Sequence, residues 1–232
     1  MLQYQKDVRL TERDFDKNGN PRPGSLLHLF QEAAAEHATA AGAGFDDMIR
    51  QNLIWVVTKL KYEMLAPLAP GAVYALTTYP KPKRSLAYQR DYYLHDAAGN
   101  ELVVASSQWC IINFQTRKVE RSSFDYQGEF CNKIAFPEGF ERIRLPELTP
   151  AGRYVITERD LDRNEHTNNC RYADIVAGVL DRKEAIRRFL IHYAKETRLH
   201  DEIQLFQAST EDGRIVVGKL PDGVTVFTAK VS

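Results

Sequence analysis

The chain has 232 residues, with 31 Lys and Arg against 31 Asp and Glu, so its formal net charge is zero. A domain that neutralises many phosphates carries a basic excess, so no nucleic-acid partner is expected. With 44% hydrophobic and 27% charged residues, the composition is that of a globular protein and excludes a disordered or collagen-like chain.

The first ten residues, MLQYQKDVRL, lack the apolar stretch of a secretory signal, and a strand is expected from about Tyr4. Residues 11–18 then read TERDFDKN, a polar turn. A helix is expected over 26–41, with Ser25 as its N-cap and Gly42 just past its end. Its apolar residues spread over more than one face, so it should be largely buried. Strands follow at 54–65, 73–79, 87–95 and 101–114, with a turn at 96–100.

Residues 137–152 hold Pro137, Pro146 and Pro150 with weak periodicity and read as a linker. The same order then recurs. Residues 157–164 read TERDLDRN, six of eight identical to 11–18 at an offset of 146. A short strand (154–156) precedes that octapeptide. A helix near 171–180 and strands at 185–196, 202–209, 214–220 and 224–231 follow it. One helix wrapped by an antiparallel sheet is a hotdog unit, so an α+β double hotdog is expected, with units at 1–136 and 153–232 about the linker. No apolar run reaches the ~18 residues of a membrane span. Three cysteines, Cys110, Cys131 and Cys170, have no paired spacing, which favours a reducing compartment and a cytoplasmic protein.

Residues held by one copy only are the better candidates for chemistry. Asp16 and Asn18 match Asp162 and Asn164, but Gly19-Asn20-Pro21 stands where the second copy has Glu165-His166-Thr167. The second copy therefore presents Asp162, Asn164 and His166 ahead of a helix start, a carboxylate, an amide and an imidazole suited to hydrolysis. The Asp and Asn suit a turn-capping role equally well. Aligning Tyr62 with Tyr193 sets Glu196 against Leu65, an acid in place of an apolar residue, and makes Glu196 a fourth candidate. One imidazole without a second at metal-ligand spacing gives no metal site.

The segment RDLDRNEHTNNCRY (residues 159–172) with IHYAKE (191–196) resembles the acyl-acyl carrier protein thioesterases of plants and bacteria. LLHLFQEAAAEHA, IWVVTKLKYEM and QRDYYLHDAAGNELVVASSQW in the first unit are similar to that family's N-terminal hotdog. The resemblance implies a catalytic set of Asp162, Asn164, His166 and Glu196. It also implies release of free fatty acid from acyl carrier protein, with no cofactor. Many plant members have cysteine after the glutamate, whereas this chain has Thr197. The oxyanion donors expected from it are backbone N–H groups at 169–171, helped by Asn164. The N-terminal hotdog would bind the acyl chain through Leu26, Phe30, Trp55 and Val57. Lys81, Lys83 and Arg84 of the PKPKR loop would dock the acidic carrier protein. A monomer or homodimer is implied. Hydrolysis of acyl-CoA, hotdog dehydratase chemistry and non-catalytic acyl binding are the other readings that this fold admits.

Overall fold

The structure, a computed structural model, describes residues 2–122, 124–180 and 184–232. Strand β1 (Tyr4–Arg9) leads through a short 3-10 turn (Glu12–Asp14) into helix α1 (Pro23–Ala40). After α2 (Phe45–Arg50) come β2 (Leu53–Met64), β3 (Val73–Pro80), β4 (Tyr88–His95) and β5 (Glu101–Asn113). The second unit repeats the series: β6 (Thr149–Val155), a 3-10 turn (Glu158–Asp160), α3 (Asn169–Val179), β7 (Arg188–Tyr193), β8 (Glu202–Thr210), β9 (Gly213–Lys219) and β10 (Thr225–Val231).

All ten strands form one antiparallel sheet in the order β1-β3-β4-β5-β2-β7-β10-β9-β8-β6. Read inward from either edge, each half has the same order, first, third, fourth, fifth and second strand of its unit. The halves meet where β2 pairs with β7, with Leu60 opposite Ile191. Those two residues are equivalents when Tyr62 is aligned with Tyr193, so a pseudo-twofold axis passes between them. The double hotdog is thus two copies of one topology sharing a continuous sheet.

Both helices lie on one face. Helix α1 begins on Pro23, whose missing N–H costs nothing at a first turn, and Arg22 rather than Ser25 precedes it as N-cap. It buries Leu26, Leu27, Phe30, Ala33, Ala34 and Ala38. The alanines let it lie close to its neighbours, and α3 crosses it at Gly24, where the backbone N–H donates to Asp174 Oδ1 at 3.1 Å. A Cβ at Gly24 would fall 2.5 Å from that carboxylate. One apolar core runs through both units, joining Phe30 and Tyr92 of the first to Tyr172, Ile191 and Phe227 of the second.

Several boundaries differ from expectation, β7 (Arg188–Tyr193) being shorter at both ends than the expected 185–196. Helix α2 was not legible in the sequence. The stretch read as linker ends earlier, because β6 starts at Thr149 and includes Pro150 and Gly152. An outermost strand tolerates both residues, and the register shifts between them mark a bulge. Residues ahead of β6 form a strap over the sheet face opposite the helices. There the strap's Phe136 ring lies 3.8 Å from Lys61 Nζ, and its Ala135 N–H donates to buried Asp91 at 3.1 Å.

Candidate active site

The repeated octapeptide folds into the same turn twice. In the first copy Asp16 Oδ1 accepts from the N–H groups of Asn18 (2.8 Å) and Asn20 (3.0 Å). In the second, Asp162 Oδ1 accepts from Asn164 (2.7 Å) and His166 (3.3 Å). The backbone closes alike, Asp16 N to Asn20 O and Asp162 N to His166 O, both at 2.8 Å. Just ahead, Thr11 with Asp14 and Thr157 with Asp160 form matching capping boxes. Burial pushes the Asp160 carboxyl up, but hydrogen bonds from Thr157, Arg171 and Tyr154 outweigh it and hold the group below its ordinary value. The capping role left open for Asp162 is therefore present, and it occupies one oxygen.

Within this shared turn, Gly19 has φ +78° and Glu165 has φ +60°. The left-handed position that glycine fills freely in the first copy is occupied by glutamate in the second, at a steric cost. The imidazole of His166 then projects where Asn20 stands in the first copy, and Nδ1 lies 3.4 Å from Glu196 Oε2.

Glu196 does not lie on a strand. Strand β7 ends at Tyr193, and residues 194–201 turn back to meet the motif, with Thr167 N–H donating to Thr197 O at 2.8 Å. The matched Leu65 is 50% exposed and the Glu196 side chain 39%. Neither position is buried, and what distinguishes Glu196 is its partner histidine. Thr197 is wholly buried, its hydroxyl bonded to those of Thr167 (2.7 Å) and Tyr172 (2.8 Å). It pins the segment through these two bonds. Cys170 is buried as well, its Sγ donates to Gln31 Oε1 at 3.4 Å, and burial pushes its thiol far up, so it is no ready nucleophile.

A residue that no sequence signal marked completes the cluster. Arg117, in the turn after β5 and itself at φ +58°, forms an ion pair with Glu196 Oε2. The carboxylate thus bridges a cation from the first unit and an imidazole from the second. Two cavities meet beside it, sharing Ile54, Arg163 and Asn164. The first, about 170 Å³, is mostly apolar and is lined by Ala34 and Ala38 of α1, Met48 of α2, Trp55, Tyr88 and Trp109. The second, about 480 Å³, holds His166 with Arg117, Arg163 and Arg198. Arg163 lies 3.3 Å from the centre of the Phe45 ring, tying α2 to the second unit's turn where the cavities join.

Several expected residues stand elsewhere. Of the acyl-binding set Trp55 lines the first of these two cavities, its indole N–H donating to Ala43 O at 2.9 Å, and the others line neither. Leu26, Phe30 and Val57 are core, with Phe30 packed on Tyr92 at 5.1 Å between ring centres. In the PKPKR loop Lys81 is consumed internally, paired with buried Asp91 at 3.2 Å and donating to the carbonyl of Lys133. Lys83 donates to Ser122 O at 2.6 Å, which leaves Arg84 as the exposed cation of the three. At the start of α3 two of the three expected oxyanion donors are already taken. Asn168 takes the Cys170 N–H on its side chain (3.0 Å) and the Arg171 N–H on its carbonyl (2.9 Å).

Residues 1–130 match the model of the acyl-ACP thioesterase N-terminal domain, and residues 149–220 that of its C-terminal domain. The chain belongs to the acyl-ACP thioesterase family. The chain is 25% identical to oleoyl-acyl carrier protein thioesterase 1 of Arabidopsis thaliana over 91% of its own length and 65% of that protein's. It is 26% identical to the palmitoyl-acyl carrier protein thioesterase of the same plant, over 80% of this chain and 50% of that one. This acyl-ACP thioesterase family member thus spans less than two-thirds of these curated relatives. Its fold matches an acyl-ACP thioesterase from Bacteroides thetaiotaomicron (TM-score 0.90, 24% identity, 99% of this chain and 97% of that one). The 12:0-ACP thioesterase from Umbellularia californica has the same fold (TM-score 0.81, 17% identity, 100% and 97%).

Proposed function

We propose that this chain hydrolyses the thioester between a fatty acyl group and the phosphopantetheine arm of acyl carrier protein. The observation that carries the reading is the His166–Glu196 contact at 3.4 Å, set where an apolar cavity opens into a polar one. A fatty acyl thioester needs that pairing: room for a chain on one side, and a base with an oriented partner on the other.

Glu196 holds Nδ1 of His166, which leaves Nε2 to take a proton from water. The water oxygen adds to the thioester carbon. The side-chain amide of Asn164, at the junction of the cavities, donates to the developing oxyanion, a contribution typically worth ~10²–10³ in rate. Collapse of the adduct breaks the carbon–sulfur bond, and the imidazolium returns its proton to the leaving thiolate. Free acid and thiol are the products. Asp162 fixes the loop through Oδ1 and places its second oxygen beside the same turn as a further carboxylate for the attacking water. The first unit supplies the chain cavity and the second the chemistry.

Release of free acid from a panel of acyl carrier protein thioesters by the purified full chain tests the reading, and no release from any chain length overturns it. Arg117, Arg163 and Arg198 around the polar cavity suit the phosphate of either carrier, so kcat/KM for matched acyl-CoA and acyl-ACP decides between them. Enoyl product and water, without free acid, from a 3-hydroxyacyl thioester indicates a dehydratase instead.

A further inference from the structure

Beyond the junction, the apolar cavity is also bordered by groups that plain hydrocarbon does not need. Arg90 and Tyr126 both line it and both are buried, Arg90 to 4% exposure. Arg90 lies on β4, on the face toward α1, and its guanidinium donates to His37 Nδ1 (2.9 Å), Thr78 Oγ1 (3.3 Å) and Tyr126 Oη (2.6 Å). All three acceptors are uncharged, since burial and the Arg90 charge depress His37 to about 4. No carboxylate among the described residues forms an ion pair with Arg90. Cations on the sheet's other face are treated differently: buried Lys61 has Glu138, and half-buried Lys81, in the loop after β3, has Asp91. A buried charge without a counter-charge is expensive, and proteins ordinarily pair it. Tyr126 adds a second signal. Its hydroxyl accepts from Arg90, which leaves its own proton for an acceptor in the cavity.

We propose that this end of the cavity is a subsite for an acyl chain bearing an oxygen at its far end, a carboxylate ahead of a hydroxyl because the subsite is cationic. The inference rests on the acyl-binding role given to this cavity under the proposed function. A cavity of about 170 Å³ is comparable to one of ~150 Å³ that accommodates a benzene ring, so short chains are the appropriate probes.

The test has two arms. In the first, kcat/KM is compared for hexanoyl, ω-hydroxyhexanoyl and adipoyl thioesters of acyl carrier protein. The adipoyl substrate is expected to exceed hexanoyl by about tenfold or more, the scale of a charge-assisted hydrogen bond, with ω-hydroxyhexanoyl between them. In Tyr126→Phe and Arg90→Met the adipoyl-to-hexanoyl ratio falls toward one; Tyr126→Phe keeps the test available if Arg90→Met does not fold. Hexanoyl preferred or equal in the wild type overturns the subsite and leaves the thioesterase reading standing. The second arm reads the cavity without catalysis, by calorimetric titration with methyl hexanoate and monomethyl adipate. Tighter binding of monomethyl adipate in a protein that cleaves no thioester keeps the subsite and removes the thioesterase reading. Equal or weaker binding of monomethyl adipate overturns the subsite.

Discussion

Arg117 of the first unit and Glu196 of the second form an ion pair across the boundary between the two copies, and the same glutamate oxygen faces His166. The imidazole of His166 is thus linked, through Glu196, to a residue from the other half of the chain. Replacing either member of the proposed catalytic pair, as in His166→Ala or Glu196→Gln, is expected to lower kcat by roughly 10² or more. Arg117→Ala acts through Glu196 and is expected to cost less, about tenfold. It should also shift the pH–rate profile, because the carboxylate beside the imidazole loses its opposing cation. A wild-type pH profile in Arg117→Ala would show that the ion pair does not reach the chemistry.

Asp16 and Asp162 make the same two backbone contacts, so the pair separates capping from catalysis. Asparagine keeps an acceptor oxygen and loses the charge. Asp16→Asn is expected to leave turnover at the wild-type level, whereas Asp162→Asn lowers it by roughly 10² at an unchanged unfolding midpoint. Alanine at either site removes the acceptor and should cost about 1 kcal/mol of stability in denaturant titrations. Full activity in Asp162→Asn would reduce that residue to its structural duty.

His37 gives a pH dependence with a definite sign. In the unfolded chain its imidazole takes up a proton near 6.5; in the folded protein burial, helped by Arg90, holds it unprotonated until about 4. Between those values the unfolded state binds more protons, so stability is fully present above about 6.5 and is lost as pH falls toward 4. His192, pushed down by burial and by Lys59, adds a slope of the same sign. Unfolding midpoints across this range should flatten in His37→Gln and His192→Gln, each removing its own share. An unchanged slope in both variants would place the titration elsewhere.

Two backbone positions make opposite predictions. Gly24→Ala sets a methyl group against the Asp174 carboxylate where α1 crosses α3, and is expected to destabilise by about 1–3 kcal/mol. Glu165→Gly relieves a left-handed glutamate and restores the residue type that the first copy uses, so it is expected to stabilise by about 1 kcal/mol or less. Chemical denaturation of both variants checks the signs. A loss of stability in Glu165→Gly would mean that the glutamate side chain holds the turn.

The repeated octapeptide made the architecture legible, because a turn that closes on its own backbone carries its instructions locally. Strand ends were legible to within a few residues wherever polar and apolar residues alternate. Helix α2 was not, since FDDMIR is too short for a helical period and depends on Gly44 and Asp47 at its start. Pro150 and Gly152 read as linker because sequence alone does not reveal that their strand is the outermost one. In the site, Asp162, Asn164 and His166 stood out because one copy has them in altered company. Glu196 differs from its counterpart Leu65 in type, but both positions are exposed, and its place beside the turn comes from its contact with His166. Arg117 and Tyr126 were invisible: both follow β5 in a stretch without periodicity, and their importance lies wholly in partners distant along the chain.

The axis between Leu60 and Ile191 has one more implication. Had this ten-stranded sheet been assembled from two identical chains, any substitution would be made twice, and a change that suited one half would be imposed equally on the other. Covalent tandem fusion lifts that constraint. Lys61 faces Leu190 beside the axis, where two copies of the first unit would set it against Lys59, so each side of the seam carries side chains of its own.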